Sequence, residues 1–145
     1  MDRIIKFRGK RKDNEEWIYG NLVIDEGKYY ICLGINEHIK RDDYEVYMLE
    51  VIPETVGQFT ELYDEDKKEI YVGDIIKINK DIKNKFGLDN IMYVDFENGS
   101  SFVKTIKNNN WSLLKTLSAI IDIRGILRGE VIGNIIDNKN ILEEE

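Results

Sequence analysis

The sequence predicts a mainly β fold, and three observations carry the prediction. Short runs rich in β-branched and aromatic residues recur along the chain, several of them alternate in polarity with a period of two, and glycine, asparagine and aspartate punctuate them at short intervals. About nine such strands with one or two short helices favour barrels or sandwiches over a βαβ sheet. The architecture expected is one domain of 145 residues. It has a β-rich N-terminal lobe to about residue 60, a small barrel from about 68 to 136 and a short tail over 137–145.

Taken in order, residues 4–8 and 17–24 read as strands, with the polar run Lys10 to Glu16 as the loop between them. Gly27 can adopt the positive φ of a tight turn, so residues 29–33 return as a hairpin. Asn36 to Asp43 breaks the pattern, and residues 44–48 restore it with Tyr44, Val46 and Met48 on one face. Pro53 lacks a ladder donor and therefore marks an edge, or the first residue of a strand over 54–59.

The charged segment 63–68 is a turn, and Gly73-Asp74 between two apolar stretches predicts a bend that feeds a strand to Ile78. Lys80 to Asn90 reads as a polar loop, followed by an alternating strand over 91–96. Asn98-Gly99 is a type I′ hairpin signal, with its return strand over 101–106. Leu113, Leu114, Leu117, Ile120 and Ile121 fall on a helical stripe, which predicts a short helix there. Residues 130–136 read as the final strand, and 138–144 as a terminal helical turn.

Composition bounds the function classes. The chain carries a net charge of −7, with 11 basic and 17 acidic side chains over residues 1–72 and a near balance after them. An acidic chain repels phosphate backbones at long range, so only the second half is eligible for nucleic acid. Cys32 is the single cysteine, so no internal disulfide forms, and stability from packing alone fits a reducing compartment. Charges interrupt the most apolar region, 113–136, well short of the length a membrane helix needs, and the first residues lack an apolar signal segment. A cytoplasmic protein is expected.

Several blocks together carry a resemblance: Ile5 to Arg8, Trp17, Thr55 to Asp64, Lys68 to Lys77 and Val131 to Ile135. In this order, and over nearly the whole chain, they resemble the YopX family of bacteriophage and prophage proteins. The motif positions are Gly57, Thr60, Asp64, Gly73, Asp74, Gly133 and Asn134. The resemblance implies a β-rich fold ending in a compact SH3-like barrel, a viral or prophage origin and homo-oligomerisation, and it implies no activity. The chain departs from the family where Glu61 replaces a usual glycine and Gly9-Lys10 replaces a frequent alanine-tryptophan pair. Residues 104–128 match nothing in it.

Each candidate site also has an ordinary structural role. His38 is the single histidine and lies in a polar run, and Cys32 sits in a tyrosine-rich strand where a buried inert thiol is expected, so no nucleophile and base are paired. Asp64, Glu65, Asp66 and Glu69 mimic cation ligands, but the spacing is not that of a calcium loop, and one cysteine with one histidine cannot hold structural zinc. No catalytic, metal or cofactor residue is expected. The nucleic-acid candidates are Lys77, Lys104, Lys107 and Trp111, from a group of lysines that also includes Lys80, Lys83, Lys85 and Lys115, near Tyr93, Phe96 and Phe102. The expected function is a non-enzymatic accessory protein that acts through contacts with itself or with a host or phage protein, with a nucleic-acid module in the later barrel as the alternative and no membrane partner.

Overall fold

Side chains that fit a pleated surface favour extended backbone, and the fold is mainly β, built from antiparallel sheets with two short α-helices among the described residues. The computed structural model describes residues 3–33, 39–41, 44–46, 48–87, 89–105, 111–113 and 120–143. The chain divides into two compact units, residues 1–59 and 60–145.

The first unit holds β1 (Phe7–Lys10), β2 (Trp17–Asp25), β3 (Lys28–Cys32), β4 (Ile39–Arg41), β5 (Tyr44–Val46), β6 (Met48–Val51) and the start of β7 (Gly57–Tyr63). Strand order is β6-β3-β2-β1-β7, and β4 pairs with β5 as a separate ribbon. The chain beyond β1 then returns to β6: Arg11 bridges Val51, the Ile52 N–H donates to the Lys10 carbonyl at 2.9 Å, and the Lys12 N–H donates to the Glu50 carbonyl at 3.0 Å. The outer edge of β6 is thus occupied at Glu50 and Val51, which shortens the template open to another strand. Ile31, Leu49 and Val51 are buried here, and a Cβ on Gly9 would lie 3.0 Å from the Val51 side chain. Cations of β1 lie over rings, Arg8 4.8 Å and Lys10 5.7 Å from the Trp17 ring centre.

Three expectations for this unit are corrected. The first strand begins at Phe7, and Ile4 and Ile5 before it are exposed. Pro53 opens a short 3-10 helix, Pro53–Thr55, where its missing N–H costs nothing. The Thr55 hydroxyl donates to the Ile52 carbonyl and accepts the Lys10 N–H, so the extended segment starts only at Gly57 and runs on to Tyr63. Cys32 is half-buried rather than enclosed.

The second unit takes the rest of β7, then β8 (Glu69–Tyr71), β9 (Asp74–Ile78), α1 (Lys80–Phe86), β10 (Ile91–Glu97), β11 (Ser100–Lys104), β12 (Trp111–Leu113), β13 (Gly129–Asn134) and α2 (Lys139–Glu143). β8 neighbours β7, and a five-stranded sheet has the order β12-β11-β10-β9-β13. Its buried face carries Ile76, Ile78, Met92, Val94 and Val103, packed with Leu62, Ile70, Ile82, Ile120, Ile121 and Leu127. Each such side chain contributes about 2 kcal/mol by leaving water. Asn98 and Gly99 have φ of 51° and 79°, as the type I′ turn joining β10 to β11 requires.

Two further expectations fail. The segment read as a loop from Lys80 to Asn90 contains α1, because Ile82 is buried and Gly87 closes the helix in the left-handed conformation, accepting the end that polar composition concealed. The helix expected across 113–121 is absent where described: residues 111–113 are strand β12 and Ile121 bridges Leu127, while 114–119 lie outside the described residues.

Candidate functional site: a basic cleft on the second unit

Strand β9 alternates so that Ile76 and Ile78 enter the core and Lys77 faces solvent. The chain then turns at Asn79, whose N–H donates to the Arg128 carbonyl at 3.1 Å and whose amide Nδ2 donates to Glu65 Oε2 at 3.2 Å. From there α1 begins. Ile82 anchors the helix on the core, which leaves Lys80 exposed and Lys83 half-buried three residues apart, neighbours on the helix surface. Asn90 closes the far side, its carbonyl accepting the Ile78 N–H at 2.9 Å, and Glu130 on β13 stands opposite Lys77 in the ladder.

These side chains line a half-open cleft of about 520 Å³. Three lysines face it against one carboxylate among the described residues, and none of the three makes an ion pair with a described residue. A concave surface with an excess of one charge raises the local concentration of the opposite ion. Chemically the arrangement can hold an anion and offers amide groups for further hydrogen bonds.

Lys104 is engaged elsewhere. Lys104 Nζ pairs with Asp95 Oδ2 at 2.8 Å and with Glu97 Oε1, and these two carboxylates hold its ammonium well above the usual lysine range. That cation is spent internally. Trp111 is the backbone partner of Lys104 across β11 and β12, and Lys107 lies outside the described residues, as does His38. Of the candidates whose side chains are described, Lys77 lines the cleft. Lys80 and Lys83 escaped selection because a loop reading scatters them, although their spacing of three around Ile82, with Gly87 beyond, signals one helical flank. Asn79, Asn90 and Glu130 had no sequence signal, since only the β9–β13 register brings Glu130 to Lys77.

The motif positions are structural in their contacts. Asp64 is 1% exposed, and its Oδ1 accepts the N–H groups of Asp66 at 2.9 Å and Lys68 at 2.8 Å while Oδ2 accepts the Val131 N–H at 2.9 Å. With the Glu65 N–H on the Gly129 carbonyl, this turn covers the outer edge of β13. Asp74 Oδ2 accepts the Tyr71 N–H at 2.7 Å across a turn in which Gly73 has φ of 99°, a conformation L side chains avoid. The Thr60 hydroxyl donates to the Ile70 carbonyl at 2.7 Å, tying β7 to β8. Gly57 pairs with Arg8. A Cβ on Gly133 would lie 2.5 Å from Asn138 Oδ1, the atom that accepts the Asn134 N–H, and Asn134 Oδ1 accepts the N–H of Ile136 and Asp137 to turn the chain after β13.

Glu61, at the position of a usual family glycine, has φ of 67°. The departure therefore falls where the backbone itself favours glycine.

No curated protein matches the chain. Among solved structures it is similar to a crystal structure of protein EF1440 from Enterococcus faecalis, at 19% identity and a TM-score of 0.54, over 97% of this chain and 99% of that one. This likeness speaks for the fold. The family model described as YopX protein matches residues 6–143, and the chain belongs to the YopX family.

Proposed function

We propose that this chain is a non-enzymatic binding protein, an accessory protein of a bacteriophage or prophage, whose second unit captures nucleic acid through its phosphates. The observation that carries the reading is the cleft, where Lys77, Lys80 and Lys83 face one carboxylate, Glu130, among the described lining. A non-enzymatic role is supported by the two buried carboxylates, Asp64 and Asp74, both engaged by backbone N–H groups. The test is titration of labelled nucleic acid with the full chain at low salt, where the phosphate contribution is strongest. Binding is expected, abolished by Lys77→Glu and unchanged by Lys104→Gln; no binding at low salt defeats the reading.

A second reading is self-association through the first unit, favoured by the exposure of Ile4 (52%), Ile5 (56%) and Ile24 (55%). Sedimentation equilibrium is expected to give more than one copy, with Ile4→Lys/Ile5→Lys returning the chain to a monomer; a wild-type monomer at all concentrations ends this reading.

A further inference from the structure

We infer that the cleft takes one single strand by its sugar-phosphate backbone, without reading bases, and that Glu130 limits its affinity; this rests on the anion-binding reading above. Two features argue for a single strand, and a third argues against the reading of bases. The cleft is concave and bounded on one side by a helix of seven residues, which is about 10 Å long at 1.5 Å per residue. One flexible backbone can enter such a space, whereas a duplex presents its phosphates on a convex surface around grooves about 6 and 12 Å wide.

Charge gives the second reason. The whole chain is at −7, so every approaching phosphate meets long-range repulsion that the local lysines must overcome. A duplex carries twice the charge per length of one strand, about one charge per 1.7 Å of axis, and is repelled more. The third concerns the lining: no aromatic side chain is among its described residues, which are lysine, asparagine, glutamate and Ile78. Base stacking, the usual source of preference among single strands, has no platform there. Lys80 and Lys83, three residues apart on α1, have Cβ atoms about 5–6 Å apart, so their long side chains can reach neighbouring phosphates of one strand, with Lys77 on β9 for a third.

The experiment uses the full chain, fluorescence anisotropy, labelled dodecamers of dT, dA and mixed sequence, a duplex dodecamer, and unlabelled heparin as competitor. Three phosphate contacts predict a slope of about −2 in log affinity against log salt for a single strand, or about a twenty-fold loss between 50 and 200 mM. Lys80→Gln/Lys83→Gln is expected to lower that slope by about 1.4. Glu130→Gln is expected to tighten binding about three-fold, the effect of removing a unit charge about 6 Å away in water. Unfolding curves matching wild type establish that these surface variants fold.

The single strands should bind alike and more tightly than duplex. Duplex binding as tight as single strand, a tenfold preference among the dodecamers, or an unchanged affinity in Glu130→Gln overturns this inference and leaves the anion-binding reading standing. Failure of all the nucleic acids to bind at low salt overturns both.

Discussion

Replacing Asp64 by alanine removes the acceptor for three backbone N–H groups, those of Asp66, Lys68 and Val131. A hydrogen bond to a charged acceptor contributes about 1.5–3 kcal/mol, and a buried donor left alone costs about as much. The Asp66 and Lys68 donors sit on an exposed turn where water replaces the carboxylate, so they account for about 1 kcal/mol each. The Val131 donor faces a side chain that is 1% exposed and accounts for about 2. The expected loss is about 4 kcal/mol, a fall of about 2 M in the urea midpoint at a slope near 2 kcal/mol/M. Asp64→Asn keeps one carbonyl oxygen and turns an NH2 toward the remaining donors, so it should lose about half as much. Urea unfolding followed by far-ultraviolet circular dichroism reads both. An alanine variant within 0.5 M of wild type (about 1 kcal/mol), or an asparagine variant no better than alanine, refutes the claim that this carboxylate fastens the turn to β13.

Three more outcomes follow from the same geometry. Glu61→Gly is expected to stabilise the chain by about 0.5–1 kcal/mol, because the left-handed backbone at Glu61 is strained for a residue with a Cβ by about 1–2 kcal/mol while glycine gives part of that back as unfolded-state entropy; a lower thermal midpoint would count against it. Gly73→Ala should cost more than about 1 kcal/mol by urea unfolding, since its φ of 99° suits glycine alone. The Asp122 carboxyl is held below the usual aspartate range first by the Arg124 guanidinium and then by the N–H groups of Ile126 and Arg124. A lowered native value means that this carboxylate contributes stability above the unfolded pKa of about 4 and loses it as pH falls below that. The protection of the Ile126 amide, its exchange measured relative to the free-peptide rate at each pH, should therefore fall on acidification in wild type, and Asp122→Asn should flatten that dependence.

The β character, the Asn98-Gly99 hairpin and the bend at Gly73-Asp74 were legible in the sequence because they are local: alternation, a two-residue turn and a glycine each act over a few residues. So was the family, carried by ordered short blocks that include the residues fastening β7, β8 and β13. Helix α1 was hidden because one apolar anchor, Ile82, suffices when tertiary contacts supply the rest, and polar composition around it imitates a loop. Pro53 read as a strand signal, yet the Thr55 hydroxyl and the return of the chain to β6 decide its 3-10 turn.

Charge shows the division most clearly. Composition alone settled that the chain is acidic and that its charge is nearly balanced after residue 72. Which lysines remain available is a matter of three-dimensional neighbours: the β10–β11 hairpin places Asp95 and Glu97 on Lys104, while β9, α1 and β13 gather Lys77, Lys80 and Lys83 around one cleft. Coulomb interactions act through space over a few ångströms, and only the register of strands far apart in sequence sets those distances.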